Sequence, residues 1–158
     1  MKNILVARVD DRLIHGQVMT AWIKNYPINK ILIVDDELAK NQLMLNIYKA
    51  AVPAGITLQV AAKNGSEEIL GQPVAAGENY MVLAKTPEVF EHLINCGITF
   101  STLVVGGMGA KPRRKTLYRN LSASEEEKAC MKRLEEKGVR VVYQMVPVDR
   151  EVALGPML

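Results

Sequence analysis

Two cysteines, two histidines, one tryptophan and 5% aromatic residues are scarce chemistry for 158 residues, and each scarcity closes a route. Cys96 and Cys130 stand apart with no C-x-x-C spacing, which fits idle thiols in a reducing compartment better than a disulfide framework or a zinc motif. No window reaches the roughly 18 uncharged apolar residues that a membrane-spanning helix needs. The opening MKNILVARVDD is broken by Arg8, Asp10 and Asp11 before it can serve as an export signal. A formal charge of +3 and few aromatics give no footprint for nucleic acid, although KPRRK at 111–115 would be its place. No repeat, low-complexity tract or linker interrupts the chain, so one domain over 1–158 is expected.

What is present is alternation. Apolar, β-branched runs at 4–9, 30–34, 57–61, 80–84, 102–105 and 140–144 read as strands, most of them continuously apolar, as strands covered on both faces are. Between them, 17–25, 37–51, 66–70, 87–95 and 124–137 carry apolar residues at three- and four-residue spacing and read as helices. Ser122 or Ser124, with Glu125 to Glu127 behind it, predicts a capping box, and Lys137-Gly138 predicts the stop. The predicted fold is α/β: an open, mainly parallel sheet of about six or seven strands with helices on both faces. The basic segment 110–121 is the least regular, a loop with room for a short edge strand.

In such sheets ligands bind beyond the carboxyl ends of the strands, where loops converge and helix N-termini expose free amides. After the first strand comes Asp10-Asp11-Arg12-Leu13-Ile14-His15-Gly16-Gln17, which sets His15 beside a helix start, with Arg12 three residues before it and Arg8 at the strand end. A neutral imidazole is a nucleophile, and neighbouring guanidiniums disfavour the imidazolium. Once phosphorylated, the ring is an anion that arginine forks and helix amides bind well. Asp10 and Asp11 can orient Arg12 or fix the tautomer of His15; either ring nitrogen remains open as the attacker. Gly16 leaves room for a phosphoryl donor and freedom for the loop. The fifth strand runs into Val105-Gly106-Gly107-Met108-Gly109, glycines that either form a tight turn or wall the His15 pocket together with Met108. This is not a P-loop, and no G-x-G-x-x-G follows any strand. Leu13, Ile14 and Met108 are expected to rim an accessible His15 as a docking surface. Asp35 and Asp36 either reach the same edge or cap the next helix. His92, mid-helix beside Glu91, reads as structural or solvated.

The run Arg8-Val9-Asp10-Asp11-Arg12-Leu13-Ile14-His15-Gly16-Gln17-Val18 closely resembles the signature of the IIB subunit of the mannose/fructose/sorbose family of the bacterial phosphotransferase system. The similarity continues at Val34-Asp35-Asp36, Val105 to Met108, Ser124-Glu125-Glu126 and Gln144-Met145-Val146-Pro147, and so spans the chain. Asn41, where relatives tend to carry an acid, and the tail from Ala153 to Leu158 depart from it. The resemblance implies a cytoplasmic phosphocarrier, peripherally associated with a membrane transporter, that uses no metal or cofactor of its own. It would be a protein-histidine phosphotransferase: His15 takes a phosphoryl group from a phosphohistidine on a IIA partner and yields it to a sugar presented by membrane IIC and IID subunits. Arg12, and less directly Arg8, would embrace the phosphoryl group, with Asp10 supporting the loop. Homo-oligomers would be ordinary for such a chain. The rival is a receiver-like module phosphorylated on aspartate, suggested by Asp10-Asp11. Against it, the third strand ends in Ala61-Ala62-Lys63, with no acceptor aspartate, and the fifth ends in glycines, with no lysine at the matching place.

Overall fold

Strand β1 (Ile4–Asp10) runs through the middle of a seven-stranded sheet because nearly every residue it offers can be buried on one face or the other. The computed structural model describes residues 1–158, apart from the side chains of residues 17 and 18. The sheet takes β2 (Lys30–Val34), β3 (Thr57–Ala61), β4 (Tyr80–Ala84), β5 (Thr102–Gly107) and β8 (Arg140–Tyr143) in parallel with β1, and the two-residue β9 (Val152–Ala153) antiparallel to β8. The order is β3-β2-β4-β1-β5-β8-β9. The expected open, mainly parallel sheet is borne out, each predicted strand lying within a residue or two of its place.

Helices α1 (Gly16–Asn25) and α2 (Gln42–Ala51) lie on one face, where Met19, Trp22 and Tyr48 meet Ile31, Ile33, Met81 and Leu83. Helices α3 (Lys63–Gly71), α4 (Glu88–Asn95) and α5 (Glu125–Glu136) lie on the other, where Leu70, Phe90, Leu93, Met131 and Leu134 meet Val9, Val82 and Val105. Neighbouring strands β1 and β5 therefore send the chain to opposite faces. That divergence opens the crevice between their carboxyl ends at which α/β sheets bind ligands.

Two elements differ from expectation. The helix predicted over 37–51 breaks into a 3-10 turn at Leu38–Lys40 and α2, because Asn41 leaves the helical region and its side chain accepts from the Met44 amide as an N-cap. The residue that departs from the family pattern is thus a local cap. Segment 110–121 is not a loose loop with a strand at the sheet edge. β6 (Lys115–Tyr118) pairs antiparallel with β7 (Leu121–Ala123) in a hairpin outside the main sheet. The capping box holds: Ser124 Oγ accepts from the Glu127 amide, and Glu127 Oε1 accepts from the Ser124 amide.

Candidate functional site

Alternation along β1 sends Val6, Arg8 and Asp10 to the face that α1 covers, and this places two charged groups inside the protein. Asp10 is fully buried. Its Oδ1 accepts from Arg12 Nε at 3.0 Å and from the Arg12 amide at 3.1 Å; its Oδ2 accepts from Arg12 Nη2 at 3.1 Å and Arg8 Nη2 at 3.3 Å. The same Oδ2 lies 2.9 Å from His15 Nε2. Burial pushes the Asp10 carboxyl up, but the hydrogen bonds from Arg12 and His15 and the charge of Arg8 outweigh it and hold the group below the ordinary carboxylate value. An ionised carboxylate only accepts, so Nε2 carries the proton facing Asp10, and in the neutral ring that tautomer leaves the lone pair on Nδ1. Among the described residues, Asp10 is the only hydrogen-bond partner of the His15 ring.

The loop that delivers the ring is tightly wound. The Leu13 amide closes a turn on the Asp10 carbonyl with Leu13 at φ 57°, a left-handed position that a bulky residue adopts only under constraint. His15 is extended and is the N-cap residue of α1, and Gly16 follows at φ 38°, where no Cβ would meet a neighbour. Backbone conformation, rather than space for a donor, therefore calls for glycine there. His15 keeps 23% of its side chain exposed and Arg12 49%. The left-handed turn sends Leu13 and Ile14 inward, and with Leu13, Ile14 and Met108 at 2%, 7% and 1% exposed the expected apolar rim is core instead. Among the described residues, Leu43, Met44 and Ile47 of α2 are apolar side chains exposed on this helical layer.

Arg8 is not at the surface beside the ring but underneath it. It is 1% exposed, its Nη1 donates to the Gln144 carbonyl at 2.8 Å, and its guanidinium stacks 5.2 Å from the Trp22 ring. Burial pulls its pKa below the usual arginine value and Asp10 partly restores it. The glycines of β5 make space for this pair. A Cβ on Gly106 would fall 1.8 Å from Arg8 Nη2, and one on Gly107 would fall 2.7 Å from Asp10 Oδ1. Gly106 and Gly107, having no side chain, thus leave the room that Arg8 and Asp10 occupy. A second network braces the loops. Asp11 Oδ2 accepts from the Gly109 amide at 2.8 Å and faces Arg114, whose fork holds Glu127. Arg114 of KPRRK is therefore a buried strut, while Arg113 stays exposed. Asp35 and Asp36 tie backbone amides, at Leu38 and Lys63. Their cleft of about 410 Å³ on the same sheet edge, with Lys63, Lys85 and Lys111, includes neither His15 nor Arg12.

Sequence reasoning missed the third wall. The loop after β8 supplies the Gln144 carbonyl to Arg8 and the Met145 carbonyl to Trp22 Nε1 at 3.0 Å, and Gln144 Nε2 pins the loop through the Pro147 and Asp149 carbonyls. A signal existed: the single tryptophan sits two turns into the helix that must cover Arg8.

The family model of the PTS system sorbose subfamily IIB component matches residues 4–158. The chain is 29% identical over 149 residues to the PTS system fructose-specific EIIB component of Bacillus subtilis, covering 94% of this chain and 91% of that protein. It is 30% identical over 153 residues to the PTS system mannose-specific EIIAB component of Escherichia coli, covering 97% of this chain and 47% of that longer protein. The crystal structure of the IIBSor domain of the sorbose permease from Klebsiella pneumoniae superposes with a TM-score of 0.92 at 27% identity, covering 98% of this chain and 95% of that one. Among the described residues no helix is long and apolar enough to cross a membrane. With the sheet, the loops and the sequence agreeing from end to end, this chain belongs to the IIB components of the sorbose subfamily of the PTS, the phosphotransferases of sugar uptake.

Proposed function

We propose that the chain is loaded on His15 Nδ1 by a phosphohistidine of a IIA partner and unloaded onto a sugar presented by membrane IIC and IID subunits. One observation carries the reading: a part-exposed imidazole at the start of α1, with Nε2 held by a buried carboxylate that also grips the half-exposed Arg12. In the forward step the lone pair of Nδ1 attacks phosphorus, the P–N bond to the donor imidazole breaks, and the electron pair of that bond stays on the donor nitrogen. Asp10 balances the positive charge that the ring gains. Arg12, whose pKa is raised chiefly by its hydrogen bonds to Asp10, and the free amides at the α1 N-terminus face the equatorial oxygens. The work is positioning and charge, as phosphoryl transfer requires. The EIIAB relative carries its IIA and IIB parts in one chain, which supports a IIA donor for this one.

The aspartyl-phosphate reading is disfavoured by the same contacts. Asp10 is fully buried under four donated hydrogen bonds and the His15 contact, and Asp11 is committed to Gly109 and Arg114. Incubation with a phosphorylated IIA protein should label the chain with acid-labile, base-stable phosphate at one equivalent, and His15→Ala should remove it with the fold intact. Label that survives in His15→Ala, or that hydroxylamine cleaves, refutes the proposal.

A further inference from the structure

On the sheet face opposite α1, helices α3 and α4 bring Glu67, His92 and Cys96 together, residues that the phosphotransfer reading does not use. His92 Nε2 lies 2.9 Å from Glu67 Oε2 and 3.8 Å from Cys96 Sγ, and one ligand atom from each residue falls within 4.8 Å of the other two. A tetrahedral zinc ion with ligands at about 2.0–2.3 Å sets its ligand atoms about 3.3–3.7 Å apart, so these separations straddle the required edges. We propose that Glu67, His92 and Cys96 form a binding site for a zinc-class divalent ion that clips α3 to α4.

The backbone prepares this arrangement. His92 and Cys96 stand four residues apart, on one face of α4, and the Cys96 amide donates to the carbonyls of His92 and Leu93, which fixes the thiol at the helix end. Glu67 sits early in α3, where its Oε2 also accepts from the Gly65 amide at 2.9 Å, anchoring the carboxylate. Hydrogen bonding to His92, first, and to backbone amides holds the Glu67 carboxyl below its ordinary value. The donor set is nitrogen, sulfur and oxygen, with two anions once the thiol ionises, and so neutralises a divalent charge. Binding releases the thiol proton and moves the imidazole proton from Nε2 to Nδ1, which frees Nε2 as ligand. His92 and Glu67 keep 22% and 27% of their side chains exposed and Cys96 is exposed, so the fourth position opens to water.

Cobalt(II) is the probe, in a His15→Ala chain so that the phosphotransfer site contributes no imidazole. The expected result is one equivalent bound, with Kd on the order of 10 µM or tighter, a near-ultraviolet thiolate-to-cobalt charge-transfer band, tetrahedral visible bands, and displacement by zinc. Cys96→Ser should abolish the charge-transfer band, and His92→Gln and Glu67→Gln should each weaken binding by about 10-fold or more. Cys130→Ser, which alters a buried thiol, should change none of these. Because all three ligands are partly exposed, each variant should melt close to its parent without metal, and the three variants test the site independently. A missing charge-transfer band, a band that persists in Cys96→Ser, or unchanged affinity in both His92→Gln and Glu67→Gln overturns the proposal and leaves the phosphotransfer reading untouched.

Discussion

Replacing Gly106 with alanine should be among the most damaging single changes in this chain, although it adds one methyl. The new Cβ would stand 1.8 Å from Arg8 Nη2 and 2.1 Å from Cζ, and the guanidinium has nowhere to yield. It is held by Asp10, by the Gln144 carbonyl and by the Trp22 ring, with 2% of its side chain exposed. Moving it breaks a buried ion pair, a loss of about 3–5 kcal/mol. For a chain of this size that corresponds to a fall in Tm of roughly 6–20 °C, at about 2–4 °C per kcal/mol. Urea titration followed by fluorescence suits the measurement, because the only tryptophan is the one stacked on Arg8. The decisive comparison is a double-mutant cycle with Arg8→Met, which vacates the space a Cβ would enter. Gly106→Ala should then cost less than about 1 kcal/mol, giving a coupling of at least about 2 kcal/mol. A coupling below about 0.5 kcal/mol would show that the glycine is required for some reason other than room for Arg8.

Asp10→Asn should lower stability at neutral pH and flatten the acid limb of the stability profile. The depressed carboxyl contributes stability that is present above about pH 4 and is lost as pH falls below that; chemical denaturation from pH 2 to 7 checks this, and an unchanged acid limb refutes it. Arg12→Lys should slow label transfer from phosphorylated IIA by about 10-fold, since a point charge cannot keep the fork that now grips both Asp10 oxygens. Equal initial rates would remove Arg12 from the transfer step.

The parallel strands were legible because doubly covered strands are continuously apolar, and Lys30–Val34 and Tyr80–Ala84 show it plainly. The Ser124 cap was legible because its partners are three residues apart. What the sequence concealed depends on single dihedrals and distant neighbours. Leu13 at φ 57° turns the loop so that Leu13 and Ile14 go inward, and no local pattern announces a left-handed leucine. Arg114 looked like part of a solvated basic run because its partner Glu127 lies on another element. Arg8 was within reach of reasoning: period-two alternation puts it on the α1 face with Val6, and Trp22 is the side chain broad enough to cover it. Glu67, His92 and Cys96 lie on two helices 25 or more residues apart, so spacing could not have assembled them.

The distances along the chain within the proposed phosphotransfer site differ greatly. Asp10 and His15 are five residues apart, but Arg8 reaches the Gln144 carbonyl across 136. In the proposed reading the nucleophile and the carboxylate that orients it come from one short stretch of chain, while the carbonyl that seats the arginine below them follows β8. On that reading, competence to carry phosphate is tied to the pairing of β8 with β5, and a chain lacking that pairing presents the imidazole without its finished footing.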